Sequence, residues 1–508
     1  MSPLTLIFIL PLAAALLIMI IPRNFRFVIR CVALLATFLS MLTAVRMFVH
    51  YDGRAAALGY QFVEQHQWAP KLGISYHVGV DGINLGLILM GAVVLFAATA
   101  VSWNIRSREK QYYILLLLMG GGILGAFASL DLFFFYVFHE LALVPTFIMI
   151  GVWGRGEQKN YATFQITLYL SVGALMVLIG LIGIYLQLPA PSRTFDIVEL
   201  TRYFKTHPML PGAQHWIFPT LLFGFGILVS LWPFHTWAPL GYSSAPTGTA
   251  MVHAGVLKKF GLYGLIRIAL PLMPDEAQRW VYALSLLCLG NILYCGLVAM
   301  RQRNLNMLIG NSSVAHMGFA FLGIASLSLI GITGTVVVMV AHGFLAALTF
   351  ALSGYVRDEV QTLEISQLGG LLARLPFIGT AMIMAMLAGC GVPGFAGFPG
   401  EALVLFGNWD RSATITTAAI WGALVIAGVY MFRTIRSVWH GYKEWPQVSD
   451  AATLWRRFPY GLLLACLILF GCFPRLLTDN IRTSVAPVVM AVGADLNEDA
   501  AQMTAHPQ

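Results

Sequence analysis

The amino-acid sequence predicts an all-α, polytopic membrane protein of about fourteen transmembrane helices. Of its 508 residues, 58% are hydrophobic and only 10% are charged, whereas ordinary soluble domains carry roughly 25% charged residues. The mean hydropathy of +0.78 exceeds what a soluble core can bury, because single cores stop growing at about 250–300 residues. Apolar runs of about 20 residues, long enough to cross a bilayer as helices, follow one another along most of the chain.

These apolar runs place the helices in order. The first run has neither a charged start nor an Ala-x-Ala cleavage site, so we interpret it as a retained helix rather than a signal peptide. The predicted helices cover residues 3–22, 27–49, 82–103, 112–129, 131–152, 164–187, 215–235, 245–272, 277–299, 305–328, 331–355, 374–395, 414–435 and 457–474.

The basic residues carry information about topology. The net charge is +8, but Lys and Arg fall in short loops rather than on one basic face, which argues against nucleic-acid binding. With the N-terminus outside, the inside loops hold the larger share of the basic residues, as the positive-inside rule requires. We therefore expect a multi-pass protein of the bacterial inner (plasma) membrane with both termini on the outside face. The outside loops 50–80 and 188–213 are long and weigh less in this argument.

The six cysteines do not form a recognisable ligand pattern. They stand in apolar stretches without a CxxC pair, so we interpret them as small buried side chains rather than disulfides, zinc ligands or iron–sulfur ligands. They are Cys31, Cys288, Cys295, Cys390, Cys466 and Cys472.

Helices 7 and 12 of the prediction are broken. Residues 230–247 read SLWPFHTWAPLGYSSAPT, and residues 389–401 read GCGVPGFAGFPGE. Proline and glycine interrupt helices, and unwound backbone survives at membrane depth only where protein or water satisfies it. Paired interruptions five helices apart are typical of inverted-repeat transporters with an ion site near the breaks. The spacing therefore predicts two repeats.

Several ionisable residues lie inside the predicted helices, where a charge costs roughly 2.5–3.5 kcal/mol on insertion scales. Glu140 lies near the centre of its helix, Lys258 and Lys259 lie well inside helix 8, and Glu401 follows the second break. Because neighbouring buried carboxylates and amines change protonation with their separation, these residues are candidates for a proton path. The simpler interpretations are a static ion pair for Glu140 and Lys259, a snorkelling side chain for Lys258, and a helix N-terminus marker for Glu401.

Histidines add further candidates, because an imidazole titrates near neutral pH. His316 and His342 stand in apolar helical runs, and His253 and His235 lie around the helix-7 break and the start of helix 8. Each could equally be a structural histidine bonded to a helix carbonyl. The sequence shows no Walker A loop, no dinucleotide fingerprint and no haem or zinc spacing.

Eight segments resemble the large antiporter-like subunits of respiratory complex I, those of the chain M (subunit 4) type. The most specific is DLFFFYVFHELALVPTFIMIGVWG at 131–154. The others are GISYHVGVDGINL at 73–85, PFHTWAP at 233–239, SSAPT at 243–247, AGVLKKFGLYGLIR at 254–267, SSVAHMGF with MVAHGF at 312–319 and 339–344, and GVPGFAGFPGE at 391–401.

The resemblance implies a role for each matched residue. It places the family's helix-5 glutamate on Glu140, its helix-8 lysine on Lys259, its helix-10 and helix-11 histidines on His316 and His342, and its helix-12 carboxylate on Glu401. It further implies that other membrane-arm subunits are the partners. Quinone reduction elsewhere in the complex would drive protons through this chain, with flavin, iron–sulfur clusters and quinone on partner subunits and no cofactor here.

The resemblance also divides the chain. Residues 1–110 would form N-terminal helices with an outside loop, 111–272 the first antiporter-like repeat, 273–440 the second inverted repeat, and 441–508 a last helix and tail.

The sequence departs from the family pattern around broken helix 7. This sequence has Leu228 at the position of the family's helix-7 lysine. It has Ser230 in place of a nearby proline and Leu240 in place of an acidic residue further on. A helix-6 lysine is replaced by Gln165. The charged loop before helix 10 reads Asn-Leu-Asn-Met at 304–307.

Two consequences of these changes compete. In the first, Lys258, Lys259 and His253 take over the coupling to Glu140. In the second, the inlet half of the channel is silenced, which leaves a structural subunit that still transmits conformational change. Three other functions also stay open: the large subunit of an Mrp-type Na⁺/H⁺ antiporter, the membrane subunit of an energy-converting hydrogenase, and a secondary transporter acting alone. The motifs favour the complex I type.

Overall fold

The computed structural model describes residues 2–53 and 59–493 of the chain. Within them, twelve helices are long and apolar enough to cross a membrane. From the N-terminus the helices are α1 (Pro3–Ile20), α2 (Arg26–Val49), α3 (Gly82–Val101), α4 (Glu109–Ala128), α5 (Leu132–Trp153), α6 (Lys159–Leu186), α7 (Ile197–Thr206), α8 (Pro211–Val229), α9 (Trp237–Ser244), α10 (Thr247–Gly255) and α11 (Phe260–Gly264).

The helices of the second half are interrupted more often. They are α12 (Leu270–Leu272), α13 (Pro274–Leu289), α14 (Gly296–Arg301), α15 (Leu305–Ala325), α16 (Leu329–Val360), α17 (Pro376–Gly389), α18 (Gly397–Trp409), α19 (Ala413–Trp421), α20 (Ala427–Thr434), α21 (Leu454–Cys472) and α22 (Arg475–Ala491). Short π-helical turns join α13 to α14 and α19 to α20, so that each pair forms one span.

The prediction of an all-α membrane fold is confirmed, with breaks where proline and glycine cluster. Helix 7 of the prediction ends at Val229, Ser230 adopts a left-handed conformation, and the chain resumes as α9. Helix 12 ends at Gly389 and resumes as α18, with Gly391 and Gly394 at φ +67° and +98° between them. These two glycines adopt a backbone conformation that other residues rarely accept.

A third break was not predicted. The expected continuous helix over 245–272 is instead α10, a 3₁₀ turn over Leu257–Lys259, α11, a π-helical turn over Leu265–Ala269, and α12. The prediction of one uninterrupted helix was therefore wrong at the position of its two lysines. A 3₁₀ turn advances 120° per residue rather than 100°, so it changes the direction in which each lysine points.

The core of the bundle is formed by its most hydrophobic central helices. The span of α16 is fully buried and that of α15 is 94% buried, whereas only 28% of α21 is buried. Helices that are apolar on every side belong in a core or against lipid. Accordingly α15, α16 and α3 lie inside, and α1, α2, α6 and α21 present apolar faces outward.

One end of the bundle carries a β-hairpin that the helical prediction did not contain. Strands β1 (Gln61–Ala69) and β2 (Ile74–Val80) pair antiparallel. Glu64 on β1 accepts hydrogen bonds from the Ser2 backbone N–H at 2.8 Å and the Thr5 hydroxyl at 2.7 Å, which ties the start of α1 to the hairpin. These bonds lower the pKa of Glu64 below its ordinary value.

Aspartates begin three of the helices at this end. Asp81, Asp131 and Asp196 each accept backbone N–H groups in the first turns of α3, α5 and α7, the usual role of an N-cap side chain. Helix α7 lies in the predicted loop 188–213, and α22 follows the last predicted helix and packs on α3 and α16. Both are amphipathic and carry charges, so hydropathy alone did not indicate them.

Candidate functional site

Four predicted residues meet in the core of the bundle, Lys259 from the first predicted repeat and the other three from the second. Lys259 Nζ donates to His342 Nδ1 at 2.8 Å. The rings of His342 and His316 lie 5.7 Å apart between centroids. His316 Nε2 lies 3.8 Å from Glu401 Oε1. We call Lys259, His342, His316 and Glu401 the ionisable row; each of its side chains is buried.

The helix-8 break positions the first member of the row. Lys259 Nζ also donates to the carbonyl of Ala254 at 2.6 Å, on the preceding side of the 3₁₀ turn. At Gly255, α10 approaches α16 so closely that a Cβ would lie 2.9 Å from the carbonyl oxygen of Gly343, next to His342. This close approach brings Lys259 within bonding distance of the histidine.

The helix-12 break positions the other end of the row. His316 Nδ1 lies 2.7 Å from the carbonyl of Ser312, and its Nε2 lies 3.1 Å from the carbonyl of Gly389, the last residue of α17. A neutral imidazole donates only one hydrogen bond, so the ring donates to both carbonyls only when it carries two protons. The nearby carboxylate of Glu401 can balance that charge. A Cβ at Gly391 would lie 2.9 Å from Glu401 Oε2, so the loop also needs glycine for space.

Two small cavities flank His316 and Glu401. Each has a volume of about 10 Å³, close to the space that one water molecule needs. One lies on the side of Tyr430, whose hydroxyl is 2.9 Å from Ser312 Oγ. The other lies on the side of His342. The row therefore has polar surroundings but little open space.

Lys258 and His253 make no hydrogen bond to the row in the described part of the chain. Lys258 Nζ lies 3.4 Å from Ser313 Oγ and 5.5 Å from the centre of the Tyr242 ring. The His253 ring stacks on Trp237 at 5.5 Å, and its Nδ1 has no hydrogen-bond partner among the described residues. Adjacent in sequence, the two lysines therefore have different neighbours, and only Lys259 joins the row.

Glu140 stands apart from both lysines. Its side chain is 32% exposed, and His139 Nδ1 lies 3.7 Å from Glu140 Oε1. Tyr136 also lies beside Glu140. The His139 ring stacks on Phe260 at 3.9 Å. Among the described residues no lysine or arginine makes an ion pair with Glu140, so a static pair with Lys259 is absent there.

Apolar or neutral groups occupy the positions that depart from the family pattern. Leu228 is 4% exposed. The amide of Gln165 donates to the Thr236 hydroxyl at 2.9 Å. Asn291, which we did not single out from the sequence, holds the open end of broken helix 7. It accepts from the backbone N–H of Trp232 at 2.7 Å and donates to the carbonyl of Ser230 at 2.9 Å. An asparagine inside an apolar run was the available signal.

A buried ion pair outside the ionisable row was also not predicted from the sequence. Arg267 donates to Asp81 at 2.6 Å and to the Tyr60 hydroxyl at 2.9 Å. It stands on the same segment as Lys259, and its place inside a predicted helix was the available signal. The pair fixes the start of α3 against the end of helix 8, which is a structural role.

The described residues contain no group of three or more His, Cys, Asp or Glu that could hold a metal ion. All six cysteines, which lie within them, are free.

Spanning helices, interrupted helices and a buried ionisable row together define a membrane protein built like an ion transporter. The family model described as "NADH:quinone oxidoreductase/Mrp antiporter, TM" matches residues 129–427. An NADH-quinone oxidoreductase subunit M from Rhodobacter capsulatus is 33% identical, with 97% of each chain covered. The subunit M of Rickettsia felis is 31% identical over 90% of this chain and 92% of its own. The chain therefore belongs to the NADH:quinone oxidoreductase/Mrp antiporter transmembrane family.

Solved structures agree with this assignment. A chain of respiratory complex I from Thermus thermophilus with bound NADH has a TM-score of 0.87 and 27% identity, covering 97% of this chain and 100% of that chain. A chain of the Mrp complex from Dietzia sp. has a TM-score of 0.82 over 97% of this chain and 99% of that chain. At 19% identity, the second likeness concerns the fold alone.

Proposed function

We propose that this chain is a membrane-arm subunit of a proton-translocating NADH:quinone oxidoreductase and that protons move through it along the ionisable row. The single observation that carries the proposal is the row itself. It is a buried series from Lys259 to Glu401 with contacts of 2.8 and 3.8 Å at its ends. Relatives that match nearly the whole chain are named as subunit M of that enzyme, which supports the assembly.

Each step of the path is a short proton exchange. Lys259 gives a proton to His342 Nδ1 along their hydrogen bond and is recharged from the side of α10. Between His342 and His316 the rings are 5.7 Å apart, so a ring rotation or one water molecule carries the proton. His316 exchanges with Glu401 after a small movement that closes their 3.8 Å gap. Shifts of α10 or α18 at the breaks change these distances and thereby the protonation of the row.

The chemistry of electron transfer belongs to the partners in this proposal. Flavin, iron–sulfur clusters and quinone lie on other subunits, and this chain couples to them mechanically and electrostatically. We place the chain in the bacterial plasma membrane with both termini outside. This orientation follows from the distribution of Lys and Arg among the loops.

The contribution of Glu140 is indirect in this scheme. Because His139 Nδ1 lies 3.7 Å from Glu140 Oε1, the proposed exchange with the row runs through that histidine. Leu228 offers no charge that could draw a proton toward Glu140. Glu140 therefore contributes less to transport than the members of the row.

The assembly is tested by tagging the chain, solubilising the membranes gently and identifying the co-purified subunits by mass spectrometry. Recovery of iron–sulfur and quinone-site subunits supports the proposal. Recovery of small antiporter subunits alone would instead assign the chain to Na⁺/H⁺ exchange. Transport is tested separately, by following NADH oxidation and acidification together in inverted vesicles.

A further inference from the structure

A basic cleft opens at the end of the bundle opposite the β-hairpin, where α1 and α3 end and α2 and α4 begin. Its volume is about 700 Å³. It belongs to neither the ionisable row nor the breaks. Its basic side chains come from two loops and the helix starts beside them: Arg23, Arg26, Arg106, Arg108 and Lys110.

The arginines of this cleft lack counter-charges. Among the described residues none of the four is in an ion pair, whereas Glu109, the carboxylate that lines the cleft, is buried and bound by Arg30. Lys110 is already engaged, because its ammonium donates to the carbonyls of Met19 and Ile21 at 2.8 Å each. Like charges held together without partners repel one another, so an anion that binds several guanidinium groups is stabilised here.

Below the charges the wall of the cleft is apolar. Ile114 and Leu115 lie about one turn deeper than Lys110 along α4. Ile148 and Val152 face the cleft from α5, and each is 39% exposed. Charge above and exposed hydrocarbon below match the two parts of a phospholipid.

We propose that this cleft binds an anionic phospholipid. The guanidinium groups bind its phosphate by paired hydrogen bonds, which Arg forms better than Lys. The acyl chains lie along the exposed apolar surface of α4 and α5. An acidic loop of a neighbouring subunit would satisfy the charges but would make no use of the apolar wall directly beneath them, whereas a phospholipid contacts both. The proposal needs only the membrane location, so it stands or falls independently of the proton path.

The test compares two pairs of arginines in the intact, purified complex. Arg106→Gln with Arg108→Gln removes two charges from the cleft. Arg301→Gln with Arg303→Gln removes two exposed charges with the same spacing before another helix, α15. Complexes are exchanged into nanodiscs of phosphatidylcholine with phosphatidylglycerol, and bound lipid is measured by native mass spectrometry.

We expect the Arg106/Arg108 variant to bind phosphatidylglycerol about tenfold more weakly or worse, because it loses charge-assisted hydrogen bonds to the phosphate. Adding Arg23→Gln and Arg26→Gln should abolish the binding, and the Arg301/Arg303 variant should bind like wild type. Equal retention in all variants, or equal loss in the control pair, would overturn the proposal.

Two further measurements separate the lipid from other anions. Ile148→Trp fills the acyl groove and keeps every charge, so it should release lipid without changing the charge of the cleft. Displacement of the lipid by inorganic phosphate alone would make this a simple anion site and contradict the proposal. So would loss of a neighbouring subunit from the Arg106/Arg108 variant with unchanged lipid.

Discussion

The ionisable row and Glu140 have different surroundings. The row joins Lys259 of the first predicted repeat to His342, His316 and Glu401 of the second, with end contacts of 2.8 and 3.8 Å. Glu140, also in the first predicted repeat, has His139 Nδ1 at 3.7 Å and makes no ion pair with a lysine or arginine among the described residues. Both predicted repeats contain a broken helix. The difference shows that the fold supplies the breaks, whereas a few side chains decide whether ionisable groups meet at a break.

Position 228 is part of this difference. Leu228 is buried at the position where the resemblance places the family's lysine, and Asn291 rather than a charged group satisfies the open end of α8. An uncharged side chain costs less to bury than an ion pair whose desolvation exceeds its attraction. The break of helix 7 is therefore satisfied here without a charge.

The largest effect is expected from the end of the row. Glu401→Gln keeps the shape of the side chain but removes the group that exchanges protons with His316. We expect acidification per NADH oxidised to fall about tenfold or more in inverted vesicles. The matched control is Glu157→Gln, which changes an exposed loop residue. Normal pumping by the Glu401 variant would exclude this carboxylate from the path.

The two adjacent lysines provide the next comparison. Lys259→Met should reduce pumping nearly as much as Glu401→Gln, because it removes the 2.8 Å bond to His342. Lys258→Met should have a much smaller effect, because the hydrogen bond that Lys258 makes is to Ser313 at 3.4 Å and not to a member of the row. The same vesicle assay applies, with subunit content measured to confirm assembly. Equal losses in the two variants would mean that the 3₁₀ turn does not separate their roles.

A smaller effect is expected at Glu140. Glu140→Gln should lower acidification per NADH oxidised by about twofold at most, as for a weakly coupled exposed pair. In a Leu228→Lys background the same change should cost more, because the restored lysine gives Glu140 a partner. Leu228→Met is the uncharged control. If Glu140→Gln alone stops pumping, Glu140 is as important for transport as the ionisable row, and our comparison between them is wrong.

The smallest effect concerns the hairpin. The pKa of Glu64 is lowered by its bonds to Ser2 and Thr5, so this carboxylate stabilises the start of α1 above its unfolded pKa, near 4.3. The stabilisation is lost as the pH falls through the lower folded-state value. The protection of first-turn amides of α1 against hydrogen exchange, measured relative to their intrinsic rate at each pH, should therefore fall on acidification by an amount corresponding to about 1 kcal/mol. Glu64→Gln should show the lower protection already at neutral pH and change less with pH.

Much of the fold could be predicted from the sequence, because apolar length and proline or glycine clusters act locally. The breaks at 230–247 and 389–401 and the family assignment are confirmed on this basis. The break at Lys258 was missed because no proline stands there; the flanking Gly255 and Gly261 were the only local signals. The hairpin was missed because β1 is mostly polar and lies outside the membrane runs. The division into four segments and the relation between the two repeats stay predictions.

Of the seven residues predicted for the proton path, four lie together in the row, and the sequence did not indicate which four. A charge inside an apolar run is costly, and this cost identified Glu140, Lys258, Lys259 and Glu401. Which lysine meets His342 depends on the turn that precedes it. Whether Glu140 meets a lysine depends on how α5 packs against helix 8, where Phe260 and His139 fill the contact. Tertiary packing decides both, and a single sequence does not contain it in readable form.

The small size of the cavities beside His316 has an electrical consequence. A membrane potential of 100 mV is worth about 2.3 kcal/mol for each elementary charge that crosses. A standing water column through the bundle would let protons leak back and discharge this potential. Cavities of about 10 Å³ hold single water molecules rather than a column. The described part of the bundle therefore has no water-filled route for protons past His316 and Glu401. Mutations that enlarge these spaces should uncouple the membrane before they slow any proton transfer.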